Sequence, residues 1–113
     1  MTLRKVWRND RHVPFYYANS VPDFLLDSPE SILGTLTQNS QFDVTDLQRN
    51  TWIEEIRLLK RELAGFGSGT ILFEFTIPRV GQRIDNVFLY HGHVFLIEFK
   101  VGASNTIPTP RSR

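Results

Sequence analysis

The stretch RIDNVFLYHGHVFLIEFK, residues 83–100, decides the fold. Runs of aromatic and β-branched residues on either side of Gly92 predict two antiparallel strands joined by a tight turn. Upstream, ILFEFTIP (71–78) reads as a third strand that ends at a proline, and RVGQ (79–82) is far too short to be a parallel crossover. Strands over 71–78, 83–91 and 93–101 are therefore expected to form an antiparallel meander. Further upstream, Thr45-Asp-Leu-Gln48 is a capping box that opens the longest helical segment, which runs to Ala64 before Gly65 stops it. Trp52, Ile56, Leu59 and Leu63 line one stripe of that helix, and the expected core is Trp52, Ile56 and Leu59 with Phe75, Phe95 and Ile97. Ser20-Val-Pro-Asp23 and Ser28-Pro-Glu-Ser31 carry the capping signals of two shorter helices, about 21–26 and 29–38. The predicted class is α+β, with N-terminal helices and one long helix packed on a three-stranded antiparallel meander.

Composition narrows the function classes. A length of 113 residues suits one domain with one core, and 41% hydrophobic with 22% charged residues predicts a folded chain rather than a disordered one. No cysteine is present, which excludes a disulfide framework, a thiolate zinc site and a cysteine nucleophile. No apolar run approaches a membrane span, and the expected location is the cytoplasm. The net charge of +1 makes no global case for nucleic-acid binding. Residues 1–14 read as a basic leader in which Arg4, Lys5, Trp7, Arg8 and Arg11 form an arm, expected to be either disordered or a nucleic-acid contact. Residues 103–113, with two prolines and no apolar periodicity, are expected to be disordered.

The charges within the strands ask for an explanation. Strict alternation puts Arg83, Asp85, Val87 and Leu89 on one face of the second strand, and Val94, Leu96, Glu98 and Lys100 on one face of the third. A carboxylate embedded in such strands costs several kcal/mol unless it is paired or binds a cation. One reading makes these residues surface ion pairs on a solvated rim, worth ~0–1 kcal/mol each. The other is a Mg²⁺ site, in which carboxylates from adjacent strands supply hard oxygen ligands and a nearby lysine handles a water. That chemistry suits phosphodiester hydrolysis.

The set Asp85, then twelve residues, then Glu98-Phe-Lys100, preceded by a helix with an inward-leaning acid, resembles the PD-(D/E)XK nuclease superfamily. More closely, FYYANSVPDFLLDSPESILGTLTQNSQFDVTDLQRNTWIEEIRLLKRELAG and FEFTIPRVGQRIDNVFLYHGHVFLIEFKVG look like the N-terminal region of the bacterial Schlafen-group-3-like DNA/RNA helicase proteins, where a nuclease-like domain precedes a helicase domain. The resemblance covers about residues 15–102. It implies an incomplete restriction-endonuclease-like core that cleaves DNA with Mg²⁺. Asp85 then matches the metal-binding aspartate, Glu98 the second acidic ligand and Lys100 the motif lysine, with the backbone carbonyl of Phe99 able to complete the metal shell. Glu55 is the matching helix acid, since it flanks the Trp52/Ile56 stripe while Glu54 faces away; its alternative is a solvated glutamate near Lys60 and Arg61.

Glu74 is expected on the face opposite Phe73 and Phe75, either solvated or joined to the site. Arg79 and Arg83 are candidates for nucleic-acid phosphates, Arg83 equally for a pair with Asp85. His91 and His93 flank the turn glycine as exposed residues or, less readily, as metal ligands. The superfamily pattern stops after Val101-Gly102, before its next helix and strand. The expectation is a truncated nuclease-like domain, with a noncatalytic nucleic-acid or partner-binding module and a gene remnant as alternatives.

Overall fold

The computed structural model describes residues 14–100, and the expectations for the basic arm and the tail lie outside them. Seven elements follow in order: β1 (Tyr17–Ser20), α1 (Val21–Leu26), α2 (Pro29–Asn39), α3 (Asp46–Glu62), β2 (Thr70–Thr76), β3 (Arg83–Tyr90) and β4 (His93–Ile97). The class is α+β. All strand pairs are antiparallel, and the sheet order is β1-β2-β3-β4.

The helices start where the side-chain caps predict. Ser20, Ser28 and Thr45 each accept a hydrogen bond from the backbone N–H three residues on, at 3.0–3.1 Å. The end of α1 is held from a distance: the Lys60 ammonium on α3 donates to the carbonyls of Phe24 and Asp27, both at 2.6 Å, and lies over the Phe24 ring. A cation at the carbonyls that end a helix adds to their hydrogen bonding and fixes α1 against α3.

Two of the connections with a positive φ bear directly on the sheet. His91 and Gly92 form the two-residue loop between β3 and β4, both with positive φ, the form that matches the twist of a hairpin. At Gly69, φ is +111° and an added Cβ would meet the Leu89 carbonyl oxygen and the Phe88 ring at 2.9 Å. Any larger residue would push β2 off β3.

The sheet has one strand more than the meander expected from sequence. Tyr17–Ser20 pairs with Phe73–Thr70, yet YANS offers no apolar alternation to announce a strand. The main core lies between one sheet face and the helices. It joins Val21 and Phe24 of α1, Ile32 and Leu36 of α2, Trp52, Ile56 and Leu59 of α3, and Ile71, Phe73 and Phe88 of the sheet. Full burial of a side chain such as Phe24 or Phe73 stabilises the fold by about 1.5–3 kcal/mol.

Two of the expected core residues need correction. Phe95 is 47% exposed because β4 is an edge strand, and its ring stacks on Phe88 at 5.8 Å and on the exposed His93 at 6.2 Å. Phe75 packs on the other sheet face, in a small cluster with Leu72, Ile84 and Val87. Ile97 is half-buried against the main core. The third predicted strand is also shorter than expected, since β4 ends at Ile97 and residues 98–100 leave the ladder.

Strict alternation fails in the middle of the sheet, and this failure positions the site. Ile71 and Phe73 face α3, so Glu74 should face away; instead its carboxylate meets Trp52 of α3, and Phe75 turns to the opposite face. Glu74 has φ +55°, a left-handed conformation that rotates its side chain out of phase. On β3 the same slip occurs: Phe88 faces α3, Val87 and Ile84 face away, and Asp85 reaches the α3 side. Register is unchanged across the slip, with Phe73 opposite Asn86 and Phe75 opposite Ile84. The buried Asn86 amide donates to the Leu72 carbonyl at 3.3 Å where the ladder is disturbed.

Candidate metal centre

The slip brings Glu74 and Asp85 under α3, beside Glu55. One carboxylate oxygen from each of Glu55, Glu74 and Asp85 lies within 4.8 Å of the others, and this cluster of three acids could bind a metal ion. Glu55 and Glu74 are buried, and Asp85 is half-buried. The acids line a cavity of about 300 Å³ with Thr45, Gln48 and Thr51 of the α3 amino-terminal end and with Phe99.

The three carboxylates are held in different ways. Glu74 Oε2 accepts from the Trp52 indole N–H at 3.1 Å, and Glu74 Oε1 accepts from Arg83 at 3.3 Å. Arg83 also donates to the Tyr16 hydroxyl at 3.0 Å and lies over the Tyr16 ring. Asp85 Oδ2 accepts the Phe99 backbone N–H at 2.8 Å. Glu55 is 1% exposed and its Oε1 is buried without any hydrogen-bond partner. Burial first, then the charges of Asp85, Glu74 and Glu98, push the Glu55 carboxyl up to about 9. An orphaned oxygen among acids is a set of hard donors for a divalent cation such as Mg²⁺.

The sequence candidates distribute as follows. Glu55 is buried in the cluster, whereas the adjacent Glu54 is exposed and pairs with Arg57. Lys60 is engaged on α1 rather than near Glu55. Asp85 is in the cluster. Glu98 is exposed beyond the end of β4 and is not one of the three clustered acids, although its charge reaches Glu55. Phe99 presents its N–H to Asp85. Lys100 is exposed and lines a neighbouring cavity with Glu54. Arg83 pairs with Glu74, not with Asp85. Arg79 sits in the β2–β3 turn, exposed and with φ +73°. His91 and His93 are exposed at the hairpin tip.

Glu74, like Asp85, is a member that alternation sends to the wrong face, and of the two it carries the weaker sequence signal. Its only signal in the sequence is an acid between two phenylalanines in an otherwise apolar strand, where burial without a partner would be costly. Among the described residues, no helix is long and apolar enough to cross a membrane. No family model matches the chain, and neither the curated proteins nor the solved structures contain a detectable relative.

Proposed function

We propose that the cavity under α3 is the metal centre of a PD-(D/E)XK-type nuclease-like domain that hydrolyses phosphodiester bonds of DNA with Mg²⁺. The observation that carries this reading is the buried Glu55 carboxyl, which has one oxygen without a hydrogen-bond partner and stands in a cluster with Glu74 and Asp85. A bound divalent ion would supply charge to a nonbridging phosphate oxygen and to the attacking water. Glu55 and Asp85 would hold the ion. Glu74 is already bonded through both oxygens, so it keeps the cluster in shape as much as it donates.

The hydrogen bond from Phe99 to Asp85 tethers the segment that carries Glu98 and Lys100 next to the cluster. Glu98 is the candidate second ligand, and Lys100 the group that orients a water or takes its proton. Arg79 and Arg83 are the candidate phosphate contacts, Arg83 through the part of its guanidinium that Glu74 and Tyr16 leave open.

Incubation of the protein with linear and single-stranded DNA, with and without Mg²⁺, tests the reading. Cleavage that needs Mg²⁺ and is lost in Asp85→Asn is the expected result. A well-folded protein whose melting temperature ignores Mg²⁺ and whose DNA stays intact sinks it.

A further inference from the structure

A second cavity of about 300 Å³ adjoins the acid cluster and shares Leu47, Thr51 and Phe99 with it. We propose that this cavity is a nucleoside subsite, taking the unpaired base and sugar of a DNA nucleotide whose phosphate sits at the acid cluster. The inference rests on the nuclease reading and adds to it a preference for single-stranded or frayed DNA.

The lining matches the chemistry of a base. Leu47, Leu58 and the half-buried Phe99 supply apolar surface for a flat aromatic group, and Leu47, which lines both cavities, is 67% exposed. Base stacking on an aromatic ring tolerates any sequence, since every base has a π-face. Asn50 offers an amide to a base edge. The Thr51 hydroxyl donates to the Leu47 carbonyl at 2.8 Å, so its oxygen can still accept. Lys100 at the rim makes no ion pair among the described residues and brings positive charge towards a phosphate. Glu54, the one acid of the lining, is engaged by Arg57. The size lies at the lower end of small-ligand pockets, which suits one nucleoside rather than a helix or a strand. A paired base cannot enter such a pocket without leaving its stack.

The test uses thymidine 5′-monophosphate with Mg²⁺ and reads backbone amide shifts by NMR. The expected result is saturable shifts at Leu47, Asn50 and Leu58, with affinity weakened about tenfold in Leu58→Gln through loss of apolar contact. The Mg²⁺-induced rise in melting temperature should persist in that variant. If Leu58→Gln does not fold, the exposed Asn50→Ala should give a weakening in the same direction. Shifts reproduced by inorganic phosphate alone overturn the inference, as do concentration-dependent shifts without nucleotide, which would assign the cavity to a second copy of the chain. A melting response to Mg²⁺ with no nucleotide binding overturns the subsite and leaves the metal centre standing. No response to either overturns both.

Discussion

The face of the sheet that meets α3 has two ends with opposite chemistry. At one end Ile71, Phe73 and Phe88 lie under Trp52, Ile56 and Leu59 in a dry core. At the other, Glu74 and Asp85 meet Glu55. The same helix and the same two strands build both. The dry end gains from every methylene that leaves water, whereas the acidic end carries a buried carboxyl oxygen with no partner. One end is built for stability, and the other lowers stability until something positive or a proton offsets the charge.

The largest expected effect is at the dry end. Phe73→Ala should destabilise by about 3–5 kcal/mol in chemical denaturation, independently of Mg²⁺ and of pH. A cost that changed with either would mean that the two ends are not energetically separate.

At the acidic end the sign reverses. The Glu55 carboxyl stands at about 9 in the fold against an ordinary 4.5, so its favourable contribution is complete below pH 4.5 and is lost as pH rises through 9. Between pH 4.5 and 7 the metal-free protein should lose roughly 3 kcal/mol through this group. Glu55→Gln should flatten that slope, which melting across pH would detect. A wild type equally stable at pH 5 and pH 8 in chelator contradicts the buried, unpaired Glu55.

Next in size is the response to metal. Free Mg²⁺ at a hundred times its dissociation constant should stabilise the fold by about 2.7 kcal/mol, and Asp85→Asn should abolish this gain. Because Glu55 must release its proton to bind the ion, apparent affinity should rise by about tenfold per pH unit until pH approaches 9. Calorimetry at pH 6.5 and 7.5 would measure it, and equal affinities would separate Glu55 from the metal.

The smallest effect belongs to the boundary. Arg83→Met breaks a pair in which the guanidinium side chain is 34% exposed but the Glu74 carboxylate is only 8% exposed, and should cost about 1–2 kcal/mol by leaving one Glu74 oxygen without its partner. A larger loss would make the Arg83–Glu74 pair part of the core rather than its rim.

Much of this molecule is legible in its local patterns. Capping serines and a threonine mark the helix starts, the Trp52 stripe shows which side of α3 is buried, and the two-residue turn at His91-Gly92 sets the β3–β4 register. Each depends on residues within a few positions of one another. The wheel that buries Trp52 and Ile56 also carries Glu55 inward and leaves Glu54 outside. β1 is a different case: its backbone bonds to a strand some fifty residues away, and four residues of mixed polarity hold no period that foretells the pairing.

The acid cluster divides along the same line. Sequence by itself determined that Glu55, Asp85 and Glu74 stand on a helix and two neighbouring strands, close enough in the chain's topology to meet. The period of two then sends Glu74 and Asp85 to the face away from α3, and only the tertiary structure decided otherwise. A left-handed backbone at Glu74 is locally unfavourable and no neighbour in the chain demands it. It is held by contacts from elsewhere: the Trp52 indole on one oxygen and Arg83 on the other. A conformation stabilised by distant partners leaves no local signature, which is why the strands could be read from the sequence and the side of the sheet that bears the site could not.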